Sequence, residues 1–297
     1  MLRCLLLSIS CLLLLAACGD GLTVQGGEKE AGPAKSADKV QDDSGNGIAK
    51  EPIGKDVARY NPPPRYNPTE WGPMDCKDCD LVKANLSGAN LTRTDLRRAN
   101  LMGAKLSRTN LYLADLTGAD LDGADLTGAN LTGADLSRAR LSGANLSGQD
   151  LTGTNLFGAR LDWVDLSDAD LSGSNLTDSD LTGTNLTGAN LSDTNLTDTN
   201  LFRARLSDAN LTDADLSGAN LIRTDLTGAI LTGVTLSRAI LPDTDLSGRD
   251  LPGTNLSGAD LTNANLTDAD LSGADLTNAD LTGANLSDAD LTDADLT

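Results

Sequence analysis

Histidine is absent from this chain of 297 residues, and aromatic residues account for only 2% of it. The missing imidazole removes the commonest general base of enzymes and the commonest protein ligand for transition metals. So few aromatic side chains also argue against an ordinary globular core. Leu, Ala, Gly, Asp, Asn, Thr and Ser dominate the second half of the chain instead, and this composition is typical of repeat proteins.

Basic residues are also scarce, because 23 Lys and Arg stand against 43 Asp and Glu, for a formal net charge of -20. Nucleic acids and anionic lipid headgroups are themselves negative, so nonspecific binding of the whole chain to either is unfavourable. The abundant carboxylates lie on open faces of a repeat, without the cleft that tunes catalytic pKa values. We therefore expect a non-enzymatic protein with no cofactor, no metal site and no nucleic-acid partner.

The first 18 residues, MLRCLLLSISCLLLLAAC, combine one basic residue, Arg3, with an apolar run that is short for a membrane span. This pattern is typical of an export signal. Its end, Leu15-Ala16-Ala17-Cys18, resembles a bacterial lipobox, which implies cleavage of residues 1–17 and lipidation of Cys18. A plain secretory signal and an uncleaved apolar segment are the alternatives. We predict a lipoprotein anchored in a membrane of the bacterial envelope and facing away from the cytoplasm.

Residues 18–73 are predicted to form a flexible linker after the lipidated cysteine. The first part mixes Gly, Lys, Asp, Glu, Ser and Ala without periodicity, and it cannot bury enough apolar surface to offset its ordering entropy. Two copies of Arg-Tyr-Asn-Pro follow at residues 59–62 and 65–68, in a proline-rich stretch that favours extended geometry. This stretch is either a docking ligand for a partner or a cover over the open end of the next domain. The covering residues would be Tyr60, Tyr66 and Trp71.

From Leu81 to Leu296 every fifth residue is leucine, 44 in all, without interruption. A straight helix advances about 100° per residue, so leucines five apart step by about 140° and form no stripe. A flat strand alternates its faces, which would send every second leucine into water. All the leucines point inward only if the backbone turns by a constant amount at each pentad and winds into a stacked coil. The spacing therefore predicts a solenoid.

Segments such as ANLSGANLTRTDL and ADLTNADLTGANL resemble the pentapeptide-repeat proteins, whose pattern is Ala-(Asp/Asn)-Leu-X-X. The resemblance covers residues 74–297. It implies an all-β fold, a right-handed quadrilateral β-helix with four pentads per coil and about 11 coils for 44 leucines. In that fold, Leu and the residue two places before it point inward, and the remaining residues point outward.

Two cysteines and two large polar residues also occupy inward positions. Cys76 and Cys79 fall there, so a pair of small buried hydrophobes is favoured over a redox or metal motif, and a disulfide between them is left open. A zinc site would need two further ligands. Gln149 and Arg249 are also inward, where a polar head needs a partner or a route to solvent. We expect a local distortion of the coil at both.

One of the four sides of the coil, which we call the front face, carries Leu161, Leu181, Leu201, Leu221 and Leu241. The other three sides are nearly uniform in Ser, Thr, Asp, Asn and Gly by this mapping. Apolar and aromatic residues interleaved with arginine are typical of protein interaction surfaces, although neutral variation on a tolerant surface would give the same pattern. The candidate partner-binding patch comprises Arg140, Arg160, Trp163, Phe202, Arg203, Ile222 and Arg223.

The preferred function is a protein-binding or structural scaffold of the envelope, with an unidentified protein partner. The alternative follows from the resemblance, since some relatives imitate duplex DNA and bind a type II topoisomerase, which would require a cytoplasmic protein. The last coil is expected to expose leucine edges and unpaired backbone. It either meets a second copy, as dimers in the family do, or stays soluble through nine aspartates between Asp260 and Asp295.

Overall fold

A computed structural model of the chain describes residues 75–297, so the signal segment, Cys18 and the linker lie outside the described residues. Each complete pentad in this range has the same backbone: one residue in a β-bridge, then leucine, then a two-residue turn and one further residue, with Cys76 in place of leucine in the first pentad. The bridges are single residues, and residues 75–297 contain neither a helix nor a longer strand. Accordingly, this part of the chain has no apolar helix of membrane-spanning length.

The bridges are parallel and join residues 20 apart, so four pentads complete one coil. One column of bridges starts with Asp75 and Asp95 and continues in the same step to Asp295. Between coils the backbone pairs in both directions: the Leu81 amide donates to the Asn100 carbonyl at 2.7 Å, and the Asn100 amide donates to the Cys79 carbonyl at 2.8 Å. The fold is therefore a four-sided stack of coils joined by a hydrogen-bonded ladder.

The polar residues of the repeat form the turn at each corner of the coil. The carboxylate of Asp170 accepts a hydrogen bond from the Ser172 amide at 3.0 Å and another from the Ser172 hydroxyl at 2.7 Å. The second turn residue has a left-handed backbone, as at Asp168 with φ 56°. Glycine adopts this conformation without strain, and Asp and Asn tolerate it better than other side chains. The turn recurs at every pentad because the bridge residue is mostly Asp or Asn, the first turn residue mostly Ser or Thr, and the second turn residue often Gly or Asp.

Leucine and the small residue two places before it fill the axis of the coil, as the sequence predicts. Every repeat leucine from Leu81 to Leu276 is at most 7% exposed. Threonine replaces alanine at some inward positions, and the Thr184 hydroxyl, for example, donates to the Leu161 carbonyl at 2.7 Å. The buried hydroxyls of Thr154 and Thr254 have no hydrogen-bond partner. At the last coil the core opens, and Leu296 is 53% exposed.

Asparagines stacked in consecutive coils add a side-chain ladder to the backbone ladder. The side-chain amide of Asn175 donates to the side-chain oxygen of Asn155 at 3.2 Å, and the side-chain amide of Asn155 donates to the Asp135 carboxylate at 3.1 Å. Each such bond links side chains 20 residues apart and leaves the acceptor oxygen within its own turn. Asparagine at this position therefore fastens neighbouring coils together, whereas aspartate supplies an acceptor only.

The expected distortion at Gln149 is confirmed. Asn130 and Asp150 form no bridge, and the ladder bond from the Leu131 amide to the Asp150 carbonyl is missing in the described chain. The side-chain amide of Gln149 lies between the two coils instead. In the amide orientation that satisfies both groups, its nitrogen donates to the Ala129 carbonyl at 2.8 Å and its oxygen accepts from the Gly128 amide at 2.7 Å. We call this break in the ladder the Gln149 seam.

A second break, the Arg249 seam, follows in the same column five coils later. Ile230 and Asp250 form no bridge, and the ladder bond from the Leu231 amide to the Asp250 carbonyl is absent from the described residues. The Arg249 guanidinium donates through Nη1 to the Ala229 carbonyl at 3.3 Å, while its buried Nε has no hydrogen-bond partner. The distortion predicted for Arg249 is confirmed as well, and it leaves a donor unsatisfied where Gln149 does not.

Cys76 and Cys79 both point into the first described coil, as the repeat pattern predicts, and both are buried. They are also joined by a disulfide, with their Cα atoms 5.3 Å apart. The sequence pattern placed the two side chains inward but left their pairing open, because spacing alone does not show whether two sulfur atoms meet.

Candidate partner-binding surface

The residues of the predicted patch lie on the front face in three parallel columns. Arg140 and Arg160 are bridge residues in one column, Phe202 and Ile222 are first turn residues in a second, and Trp163, Arg203 and Arg223 are second turn residues in a third. The structure separates the patch into two groups with different surroundings. One group is paired with acidic residues, and the other is not.

Trp163 is 64% exposed, the largest exposed fraction among the large hydrophobic residues described. It occupies a left-handed turn position with φ 60°, which is unfavourable for a bulky side chain. Its ring leans over Gly183 in the next coil, where an added Cβ would approach the ring carbons to 2.5 Å. Glycine at position 183 therefore makes room for the ring. The indole is held against the coil while most of its surface faces solvent.

Arg203 lies over the ring of its neighbour Phe202, with 5.0 Å from the guanidinium carbon to the ring centroid. This cation–π contact orders the arginine without neutralising its charge. Neither Arg203 nor Arg223 forms an ion pair in the described part of the chain. Phe202 and Ile222, in the neighbouring column, are half-buried. Phe202 and Ile222 form an apolar strip, and the unpaired guanidinium groups of Arg203 and Arg223 lie along its edge.

Arg140 and Arg160 are engaged with acidic neighbours instead. Arg140 donates to the Asp122 carboxylate at 2.5 Å, and Arg160 lies 3.8 Å from Asp162. Ser142 connects the two pairs, because its backbone amide donates to Asp122 at 3.0 Å and its hydroxyl donates to Asp162 at 2.6 Å. Arginine cannot accept the turn hydrogen bond that Asx accepts elsewhere, and Asp122 takes over that role. This part of the predicted patch is a local network of ion pairs, in which Arg140 also lies 3.8 Å from Asp120.

The mapping of the other three faces as nearly uniform is wrong. Tyr112 and Leu113, at 40% and 39% exposed, and Ile230, at 50%, lie on the side opposite the front face. On a third side Arg138 lies 5.7 Å from the centroid of the Phe157 ring. The front face itself also carries Val82 and Met102 in its first two described coils. Trp163 was selected because its residue type differs from those that the repeat uses at that position. The same criterion also applies to all of these residues.

The acidic turns hold their carboxylates in the ionised form. The pKa of Asp165 is lowered by a hydrogen bond from the Ser167 hydroxyl, and that of Asp170 by the Ser172 hydroxyl. In the described residues every aspartate with a displaced pKa is displaced downward. A general acid at neutral pH needs the opposite shift.

Taken together, the 20-residue parallel bridges and the inward leucine columns define a parallel β-solenoid with four pentads per coil. The family described as pentapeptide repeats matches residues 79–297 in eight copies. The chain belongs to the pentapeptide-repeat family. Its members fold as right-handed quadrilateral β-helices and are generally non-enzymatic structural or binding proteins.

Similar solved structures include HetL, a pentapeptide-repeat protein involved in heterocyst differentiation regulation from the cyanobacterium Nostoc. It is 37% identical over 74% of this chain and 88% of HetL, with a TM-score of 0.25. QnrB1, a plasmid-mediated fluoroquinolone resistance protein, is 22% identical over 64% of this chain and 86% of its own, with a TM-score of 0.37. A pentapeptide-repeat protein of the Arabidopsis thaliana thylakoid lumen is 27% identical over 51% and 71%, with a TM-score of 0.12. No curated protein matches the chain.

Proposed function

We propose that this protein is a lipid-anchored scaffold of the bacterial envelope that presents the unpaired part of the front-face patch to a protein partner. The observation that carries the proposal is Trp163, an indole held over Gly183 with most of its surface exposed. Exposed aromatic residues beside unpaired arginines are the groups that most often dominate binding energy at protein interfaces. We therefore narrow the recognition surface to five residues. They are Trp163, Phe202, Arg203, Ile222 and Arg223.

Two features support an envelope location. The amino terminus has the pattern of an export signal ending at Cys18. The first described coil holds the Cys76–Cys79 disulfide, and disulfides persist mainly in exported proteins, where thiols are not kept reduced. The two features are independent, because one is a processing pattern and the other a bond inside the folded domain. Both are consistent with a domain that works outside the cytoplasm.

Lipidation predicts that Cys18→Ser abolishes incorporation of radiolabelled palmitate into the protein. Labelled cells expressing the wild type or the variant would be fractionated and immunoprecipitated. Cys79→Ser serves as the control, because it removes a cysteine of the folded domain and should leave labelling unchanged. A wild-type protein that is unlabelled and cytoplasmic would refute the anchored scaffold and favour the DNA-imitating alternative instead.

For the patch, Trp163→Gly combined with Arg203→Asn is expected to weaken partner capture by about 30-fold or more, the effect of losing an interface hot spot. Both substitutions install residues that suit a left-handed turn, so the fold should be retained. Crosslinking in cells followed by membrane solubilisation and quantitative pull-down would measure capture.

The matched control for the patch is Leu113→Gly combined with Arg238→Asn. Leu113 is an exposed apolar residue that also leans over a glycine, Gly133, at the same turn position on the opposite side. Arg238 is an arginine at the equivalent turn position of another side. Equal capture by both double variants, or no partner enriched by the wild type over the patch variant, would overturn the assignment of this surface.

A further inference from the structure

The net charge of the folded domain is unevenly distributed along its axis. The first 40 described residues, 75–114, contain seven basic and four acidic side chains, a net charge of +3. The last 40, residues 258–297, contain nine aspartates and no basic residue. The folded domain therefore has a basic end at residues 75–114, although the chain as a whole is acidic. The seven basic residues, which we call the basic collar, are Lys77, Lys83, Arg93, Arg97, Arg98, Lys105 and Arg108.

The collar surrounds the coil, since its members are distributed over all four sides of the first two described coils. Arg97 and Arg98 form ion pairs with Asp95 and Asp78. Four other members are exposed and form no ion pair in the described residues. These are Lys83, Arg93, Lys105 and Arg108. At ~4.8 Å per coil, the whole collar lies within about 10 Å of this end of the domain.

Exposed apolar residues accompany the collar in the same two coils. Val82 and Met102 are 42% and 43% exposed on the front face, and Tyr112 and Leu113 are 40% and 39% exposed on the opposite face. Half of the eight exposed large hydrophobic residues in the described chain are thus concentrated at the basic end. Basic side chains combined with exposed aliphatic and aromatic residues are the composition of surfaces that bind the interface of anionic membranes.

We propose that the first two described coils dock end-on against an anionic lipid bilayer, with the acidic end of the domain pointing away from it. A ring of charge on all four sides fits a plane across the coil axis better than a partner lying along one side. The 74 residues that precede the described part also join the domain at this end. The proposal deepens the envelope function proposed above, but it depends on the collar rather than on lipidation of Cys18.

The acidity of the remaining domain does not prevent this approach. Asp295 lies eleven bridge steps beyond Asp75, or roughly 50 Å at ~4.8 Å per coil. At physiological ionic strength, exposed charges are largely screened beyond about 8 Å. The bilayer therefore interacts with the collar and not with the distant aspartates. Upright docking would also hold the patch around Trp163 clear of the headgroups, accessible to a partner.

Vesicle sedimentation of the full chain carrying Cys18→Ser tests the proposal without the lipid anchor. Partitioning onto vesicles of phosphatidylcholine alone would be compared with vesicles that also contain phosphatidylglycerol, at low and high salt. The readout is the salt-sensitive increase caused by the anionic lipid, because any apolar insertion of the first residues contributes equally to both vesicle types. We expect this increase to fall by about tenfold or more when Lys83, Arg93, Lys105 and Arg108 are all replaced by asparagine.

The control variant replaces Arg203, Arg205, Arg223 and Arg238 with asparagine. It removes four charges from the middle of the domain, three at second turn positions and one at a bridge position, as in the collar variant. The proposal requires this variant to keep the wild-type increase. Equal losses in both variants would attribute binding to net charge alone, and no anionic-lipid increase in the wild type would refute docking. Salt-sensitive sedimentation without vesicles would point to a second copy as the occupant and would also overturn it.

Discussion

Replacing Arg249 with alanine is expected to raise the free energy of unfolding by about 2 to 4 kcal/mol. The substitution removes a buried Nε that has no hydrogen-bond partner, and an unsatisfied buried donor costs about 1 to 3 kcal/mol. Alanine is the residue this column uses at positions 229 and 269, so the coils can close and restore ladder bonds at about 0.5 to 1.5 kcal/mol each. Chemical denaturation of the two proteins would measure the difference.

Two variants in the same column serve as controls for Arg249→Ala. Gln149→Ala should stabilise less, because the Gln149 amide already satisfies two backbone groups. Ala189→Arg should destabilise by introducing a third seam into an unbroken ladder. Hydrogen exchange gives a local readout, since the Leu231 amide should gain protection only in Arg249→Ala. If Arg249→Ala lowers stability and leaves Leu231 unprotected, the seam is not an imperfection of the stack but a part of what holds it together.

Truncation of a single central leucine is expected to have the largest effect of all. Leu191 is fully buried on the coil axis, and Leu191→Ala should lower the free energy of unfolding by about 3 to 5 kcal/mol. The upper half of the usual range applies because the backbone around the side chain is fixed by ladder bonds on both neighbouring coils and cannot collapse into the cavity. Thermal or chemical unfolding would show the loss directly.

Leu296→Ala is the matched control for Leu191→Ala, because the same side chain in the last coil is 53% exposed. It should cost less than about 1 kcal/mol, in proportion to the smaller apolar area removed from water. In a solenoid each coil contacts only its neighbours, so a central defect should also split the unfolding transition more than a terminal one. Similar losses at both positions would contradict the packed axis.

Much of the fold could be predicted from the residue types at each position of the pentad. The five-residue spacing identified which side chains fill the axis, and it correctly placed Cys76 and Cys79 inside and flagged Gln149 and Arg249 as sources of distortion. These inferences succeed because side-chain direction follows from position in the pentad, which is local information. The number of pentads per coil is not local, and only the resemblance to a known family supplied it before the structure showed the 20-residue bridges.

The candidate site was less predictable. Departures from the repeat drew attention to Trp163 and Arg203, whose exposure the structure shows. The same rule also selected Arg140, which proves to be paired with Asp122, a residue 18 positions earlier. Whether an arginine is free depends on which acids lie one coil away and on the direction of its own side chain. The single-face view also missed the collar, because its residues belong to every side.

The sequence by itself determined a backbone that bends by the same amount at each pentad, an axis filled by leucine and small residues, and polar corners built from Asx, Ser and Gly. Each of these depends only on neighbours within a few positions. The tertiary structure alone decided the sulfur pairing of Cys76 with Cys79, the ion pairs of Arg140 and Arg160 with acidic neighbours, and the side-chain amide of Gln149 between two coils. Those features join atoms brought together by a turn or by the stacking of coils, and the distances between such atoms are set by how the chain closes on itself.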